Sequence, residues 1–176
     1  MPLRRVQRTI ERQCCRGRAF QPSYSPWHVL ASWLGGVVAI AALGLLSSSS
    51  GYGLVVAPFG ASSVLLFGAP QSPLSQPRNL VLGNGLAALV AVVCVAVLGR
   101  TPLAMGLAVG LAIAAGQQLR CLHPPAGAVA LLGVLLGAHA GFVLMPVLSG
   151  SMLLVLIAVL FHRLVPATGD YPHHWL

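Results

Sequence analysis

From residue 27 onward, long apolar runs alternate with short polar stretches. Six such runs can be distinguished, at residues 27–46, 51–69, 80–98, 103–119, 124–137 and 142–161. About 20 apolar residues in a helix, at about 1.5 Å each, are enough to cross a hydrocarbon core of about 30 Å. The pattern therefore predicts an all-α fold, a polytopic bundle of transmembrane helices with six segments.

Two of these segments contain prolines that would interrupt or shorten a helix. Pro58 lies inside the second segment, and Pro124 and Pro125 open the fifth, directly after His123. Proline lacks a backbone N–H and disfavours helix at the residue before it, yet it suits the first turn of a helix. We expect the second segment to be broken or kinked at Pro58, and a short helix to begin at Pro124.

A short internal repeat relates these two interruptions. Residues 58–65 align with residues 125–132, with Pro, Gly, Ala and Leu recurring in register. Each motif lies in the second segment of a three-segment unit, and an odd number of spans makes the second unit enter from the opposite side. Paired interrupted segments of this kind indicate the central site of a transporter. The sequence thus predicts two inverted three-segment repeats.

The arginines predict the orientation of the chain. If all six segments cross, nine arginines lie on one side, six in the tail 1–26 together with Arg78, Arg120 and Arg163, whereas Arg100 alone lies on the other. The positive-inside rule then places both termini in the cytoplasm and makes those three loop arginines cytoplasmic anchors rather than ligands. Four full spans with two re-entrant pieces are the alternative.

This topology divides the chain into three parts. Residues 1–26 form a basic cytoplasmic tail, residues 27–163 the transmembrane domain and residues 164–176 a short cytoplasmic tail. A bacterial inner (plasma) membrane is the expected location. A functional unit this small is expected to need a homodimer.

Composition supports a membrane protein and narrows its chemistry. Apolar residues make up 57% of the chain and charged residues 7%, with a mean hydropathy of +0.86, values outside the usual range of soluble domains. The bilayer is the expected partner, and the net charge of +8 is explained by topology rather than by nucleic-acid binding. None of the four cysteines forms a CxxC pair, and we predict no metal, no cofactor and no enzymatic activity.

The membrane region lacks acidic residues, which favours an anionic substrate. No Asp or Glu occurs between Glu11 and Asp170, so no carboxylate is available there to balance a permeating cation. Free N–H groups at helix N-termini favour anions. The candidate binding residues are those at the two helix starts and the nearby polar side chains: Pro58, Phe59, Gly60, Ala61, Ser62, Ser63, Asn84, Gln117, His123, Pro124, Pro125, Ala126, Gly127 and Ala128.

Several of these side chains also have a purely structural interpretation. His123 either caps a turn at the cytoplasmic interface or lines a path through the protein. Asn84 and Gln117 are alternatively partners in hydrogen bonds between helices. Ser62 and Ser63 are alternatively bonded back to their own helix.

Three motifs resemble the HPP family of integral membrane proteins: His123-Pro124-Pro125 followed by Ala126-Gly127-Ala128, Ala57-Pro58-Phe59-Gly60-Ala61, and Gln76-Pro77-Arg78-Asn79. The resemblance covers about residues 27–163. It implies a small multi-span protein of a family presumed to contain transporters, whose plant and cyanobacterial members are associated with nitrite movement. Transport of a small anion such as nitrite, bound at the paired helix N-termini, is therefore the expected function.

Two other functional classes remain open. A membrane scaffold that transports nothing would keep the small-residue helix faces but tolerate changes at the polar residues. An intramembrane hydrolase would pair Ser62 or Ser63 with His123, which requires about 3 Å between hydroxyl and ring. The predicted topology argues against that pairing, because it brings the two motifs in from opposite sides.

Overall fold

From residue 22 onward, the described residues form six apolar helices. The computed structural model describes residues 6, 22–50, 57–165 and 170–175, and this part of the chain contains no strand. A 3-10 turn, Pro73–Ser75, separates the second and third helices. The predicted all-helical architecture is confirmed. The helices are α1 (Pro26–Ser50), α2 (Ala57–Gly68), α3 (Pro77–Leu98), α4 (Pro102–Gln118), α5 (Pro124–Leu136) and α6 (Ala140–Leu164).

These helices fall into two length classes. Helices α1, α3 and α6 are long and apolar enough to cross a membrane. Helices α2, α4 and α5 are shorter, with 12, 17 and 13 residues. A helix of 12 residues is about 18 Å long, well short of the hydrocarbon thickness. The described bundle therefore combines three helices long enough to cross a bilayer with three shorter ones.

Prolines set the starts of most of these helices. Helices α3, α4 and α5 each begin at a proline, where the missing N–H has no helical acceptor to lose. The Thr101 hydroxyl caps α4 by accepting a hydrogen bond of 3.1 Å from the backbone N–H of Ala104. Pro58 is the second described residue of α2. The predicted break or kink at Pro58 depends on the residues before it. Residues 51–56 lie outside the described residues.

The last helix corrects the prediction of an uninterrupted span from residue 142. Helix α6 begins earlier, at Ala140, and an irregular wide turn, Val143–Leu148, interrupts it. Met145 leaves the helical region, with φ −133° and ψ 117°. The cause is Pro146, which cannot donate to the helical ladder and pushes the residue before it into extended backbone.

Two apolar cores lie side by side in the bundle. The first, between α3, α4 and α5, is built largely from alanine and valine, for example Ala87, Ala108 and Val129. Such small side chains let helices approach closely in a membrane. The second core, between α1, α2 and α6, contains larger side chains, including Phe67 and Leu154.

Hydrogen bonds to the end of α2 bring several segments to one end of the bundle. The Ser32 hydroxyl of α1 donates to the Phe67 carbonyl at 2.6 Å, and the His162 Nε2 of α6 donates to the Leu66 carbonyl at 2.9 Å. The start of α1 and the end of α6 therefore lie beside the end of α2. Because α2 stops there, these carbonyls have no acceptor role within their own helix. Side chains of the protein donate to them in place of water, which is absent from a lipid environment.

Helices α3 and α5 run side by side in the same direction. Gly83 near the start of α3 packs against His123, at the start of α5. At the other end, Gly137 lies beside the Arg100 side chain. Gly137 ends α5 with φ 68°, a left-handed conformation that favours glycine.

Candidate functional site

His123 lies where α2, α5 and the Pro73–Ser75 turn meet. It occupies the N-cap position of α5 in extended backbone, but its side chain makes no capping bond. The ring instead turns inward and is 1% exposed. Its Nδ1 is 2.9 Å from the Leu74 carbonyl oxygen, and its Nε2 is 2.9 Å from the Ser62 hydroxyl. It therefore neither caps the turn nor faces solvent.

These two contacts determine the tautomer of the ring. A carbonyl oxygen only accepts hydrogen bonds, so Nδ1 carries the proton and donates to Leu74. In the neutral ring Nε2 is then an acceptor, and the Ser62 hydroxyl donates to it. The imidazole is thus held between an acceptor, the Leu74 carbonyl, and a donor, the Ser62 hydroxyl.

Two neighbours on α3 hold the segment before His123 in place. A Cβ added to Gly83 would lie 2.7 Å from the Cys121 carbonyl oxygen, so only glycine permits this approach. Four residues earlier, the Asn79 amide donates to the Leu122 carbonyl at 2.8 Å. The polar stretch before α5 is therefore packed against α3 rather than projecting as a free loop.

The short distance between Ser62 and His123 overturns the expectation that their motifs lie apart. The pair has the geometry and the tautomer in which a histidine can accept a serine proton. Ser62 is 0% exposed, however, and its partner is nearly as deeply buried. In this conformation the contact is closed to any substrate, and it joins α2 to α5 as a buried polar bond.

A second buried polar contact joins α3 to α6. The Asn84 amide nitrogen donates to the Ser151 hydroxyl at 3.1 Å, and both residues are fully buried. Asn84 therefore makes the hydrogen bond between helices that was its alternative interpretation, and its predicted binding role stays a prediction. Its Oδ1 has no hydrogen-bond partner, and neither does the hydroxyl of Ser63, which is 5% exposed. Ser63 therefore does not bond back to its own helix.

The start of α5 offers fewer amide donors than the sequence suggested. Pro124 and Pro125 have no N–H, and the N–H of Ala126 donates to the His123 carbonyl at 2.9 Å. One of the amides expected at this helix start is therefore already paired, and the anion site predicted there stays a prediction.

The remaining candidates differ in exposure. Among them Pro58, Phe59, Pro125 and Ala126 are buried, and Gly127 is half-buried. Gln117 lies exposed near the end of α4. The other exposed candidates are Gly60, Ala61, Pro124 and Ala128.

The three anchor arginines occupy helix ends and connecting segments. Arg78, in the first turn of α3, donates from Nη2 to the Leu119 carbonyl at 3.2 Å. Arg120 has φ 53°, a left-handed conformation. Arg163 is exposed in the last turn of α6.

The C-terminal residues fold back onto the Pro73–Ser75 turn. The Tyr171 hydroxyl donates to the Ser75 carbonyl at 3.0 Å, and its ring lies against His162. Burial raises the pKa of Tyr171, so the hydroxyl stays protonated and keeps donating. Gln76 accepts from the backbone N–H of His173 at 2.9 Å. The same turn thus contacts the C-terminal segment on one side and His123 on the other.

Sequence reasoning missed several of these polar partners. Ser151, Gln76 and His162 stand in apolar or proline-rich surroundings, and their roles depend on helices distant in sequence. One signal was present for Ser151. It follows Asn84 by the same 67 positions that separate Pro58 from Pro125.

Apolar helices long enough to span a bilayer, joined by buried polar bonds, define an integral membrane protein of the polytopic helical class. The chain matches the transmembrane region of the HPP family over residues 21–172. It belongs to the HPP transmembrane family.

Curated relatives occur in Dictyostelium discoideum. One transmembrane protein of that organism is 38% identical over 156 residues, which cover 82% of this chain and 50% of the relative. A second is 37% identical over 131 residues, covering 69% of this chain and 45% of the relative. The chain thus spans about half the length of these relatives. No solved structure matches it.

Proposed function

We propose that this protein transports a small anion, as a carrier or channel, and that two inverted three-segment repeats form its pathway. Nitrite is the anion to which the family resemblance points. Both termini lie in the cytoplasm in this proposal, with a bacterial inner membrane as the location. The observation that carries it is the shared burial pattern of α2 and α5, which are the second segments of the two halves.

The buried positions of α2 recur in α5 at a constant offset of 67, as from Pro58 to Pro125. All six buried residues of each helix obey this offset. In α2 they are Pro58, Phe59, Ser62, Ser63, Leu66 and Phe67, and in α5 they are Pro125, Ala126, Val129, Ala130, Gly133 and Val134. Sequence identity is low across the set, so the match reflects equivalent packing rather than composition.

Helices α3 and α6, the third segments, extend the same relation. Seven buried positions recur at that offset: Leu80, Gly83, Asn84, Ala87, Ala88, Ala91 and Cys94 in α3, and Val147, Gly150, Ser151, Leu154, Val155, Ala158 and Phe161 in α6. Each third segment also packs in the core formed with the first two segments of the other half. Such an exchange fits a pseudo-two-fold axis between the halves.

Asn84 and Ser151 are equivalent positions under this offset, and they bond to each other. Equivalent residues that touch must lie near the axis that relates them. Inverted-repeat transporters bind substrate at the repeat interface near the bilayer midplane. We therefore place the transport site at the Asn84–Ser151 contact rather than at the first turn of α5.

The chemistry of this contact supports a small anion. The Asn84 amide has two N–H groups, of which the structure pairs one with Ser151, so a second donor remains. The sequence has no carboxylate between Glu11 and Asp170 that would repel an anion in the membrane. Ser62 and His123 are assigned a structural role, and no enzymatic activity is proposed.

Flux measurements on the full chain in liposomes test the proposal. Nitrite uptake above that of empty liposomes is expected for the wild type, and Asn84→Leu is expected to reduce it to the empty-liposome level. The variant deletes a buried carbonyl that has no partner but also leaves the buried Ser151 hydroxyl without its donor, so its unfolding temperature is measured beside the flux to separate lost transport from lost folding. Gln118→Leu, which replaces an exposed amide on α4, is the matched control and should keep full flux.

Two results would overturn this function. Wild-type liposomes with no flux of nitrite or related small anions would contradict transport and favour the scaffold alternative. Equal flux in the wild type and in Asn84→Leu would contradict the site while leaving transport in place.

A further inference from the structure

A groove of about 430 Å³ runs along the outside of the bundle between α3 and α6. Its walls are apolar side chains from both helices, including Val81, Leu82, Met152 and Leu156. Both helices are long enough to span the bilayer. The groove therefore faces the region that acyl chains occupy.

One end of this groove carries a positive charge. Arg78, in the first turn of α3, lines the groove, and among the described residues no carboxylate pairs with it. Its Nη2 reaches a backbone carbonyl, but its Nε is buried with no hydrogen-bond partner. Because that Nε is buried, an acceptor in the groove would meet the remaining N–H groups of the half-buried Arg78 guanidinium.

The charged end of the groove also carries an aromatic side chain. Trp175 lines it and remains 56% exposed. Tryptophan is enriched where the hydrocarbon core meets the head groups. Arg78 and Trp175 together therefore mark the head-group level at this end of α3.

We propose that this groove binds a phospholipid with an anionic head group, its acyl chain along the apolar walls and its phosphate on Arg78. Phosphate oxygens supply the acceptors that the guanidinium fork requires. The apolar side chains of a second copy would fill the groove but offer the Arg78 guanidinium no anion. This assignment is independent of the transport function.

Lipid binding to the full purified chain, measured by native mass spectrometry, tests the head-group contact. Phosphatidylglycerol is expected to bind about fivefold more tightly than phosphatidylcholine, the gain typical of one cation near an anionic lipid. Arg78→Gln should bring that ratio close to one. Arg100→Gln removes an exposed arginine beyond the opposite end of α3 and should retain the preference.

A second pair of variants tests the groove itself without changing any charge. Leu156→Trp fills the groove and is expected to weaken the binding of both lipids. Leu160→Trp, one turn further along α6 and similarly exposed, should have no effect because Leu160 does not line the groove. Inorganic phosphate should not displace the bound lipid, since it has no acyl chain to contact the apolar walls of the groove.

The proposal is overturned if the wild type shows no preference for phosphatidylglycerol or if Arg78→Gln retains the wild-type ratio. Displacement of the lipid by inorganic phosphate would equally overturn it, by showing that the site holds a free anion. Unchanged binding in Leu156→Trp would contradict the groove as the seat of the acyl chain.

Discussion

Replacing Gly83 with alanine is expected to force α3 away from the segment that carries His123. The added Cβ would lie 2.7 Å from the Cys121 carbonyl oxygen and 2.9 Å from the His123 Cβ. Neither atom can rotate aside, because the Cys121 oxygen belongs to the backbone and the His123 Cβ is bonded directly to the backbone Cα. Overpacking of this kind costs about 1–3 kcal/mol. For a chain of this size that lowers the unfolding midpoint by roughly 2 to 12 °C.

A thiol-reactive dye can follow this unfolding. Cys94 and Cys121 are buried free thiols and become reactive when the bundle opens. Replacing Cys14 and Cys15, outside the described residues, by serine removes their background. Gly106→Ala is the matched control, since an added Cβ there meets nothing within 4 Å, and its midpoint should not fall. A midpoint for Gly83→Ala equal to or above the wild type would refute the close approach of α3 to His123.

Two further predictions concern stability. Ser62→Ala should lower the free energy of unfolding by about 1–3 kcal/mol, because it leaves the buried His123 Nε2 without its donor. Ser63→Ala should be neutral or stabilising, because the Ser63 hydroxyl has no partner. Equal unfolding midpoints of the two variants in the dye assay would contradict this. Tyr171→Phe should lose about 1 kcal/mol, the net value of its bond to the Ser75 carbonyl. Because burial raises the pKa of Tyr171 above its ordinary value of 10.0, that stabilisation is present below pH 10 and is lost as the pH rises further. The wild-type midpoint should therefore fall more steeply above pH 10 than that of Tyr171→Phe, and parallel curves would argue against the buried hydroxyl.

The prolines explain why the helices were predictable from sequence. Pro102 and Pro124 stand at the starts of α4 and α5, where local backbone chemistry determines the outcome. Pro146 likewise disfavours regular helix inside α6, but the surrounding apolar run predicted an uninterrupted span. The same local chemistry limits the number of free amides at the start of α5. The prolines that start the helix also remove two of the donors an anion would need.

The contact between Ser62 and His123 could not be predicted, because it depends on depth. Hydropathy indicates that a segment is buried in the membrane, but it does not say how far along the bilayer normal a short helix begins. Helix α2 ends beside α6. Ser62, in the middle of α2, contacts His123, the N-cap residue of α5. Two half-length helices that overlap in this way leave no trace in the apolar pattern. Under the proposed repeat, by contrast, the 67-residue offset pairs Asn84 with Ser151 from sequence alone.

Under the proposed repeat, the two buried polar contacts differ in symmetry, and this difference separates their roles. Asn84 and Ser151 are equivalent to each other, so exchanging the conformations of the halves preserves their contact. The Ser62–His123 bond has no counterpart, because the equivalent positions in the sequence are Val129 and Val56. A bond present in only one half can form in only one of two exchanged states. The histidine bond would then stabilise one access state, while the asparagine contact serves both. We therefore expect Ser62→Ala to shift the balance between access states without abolishing anion binding.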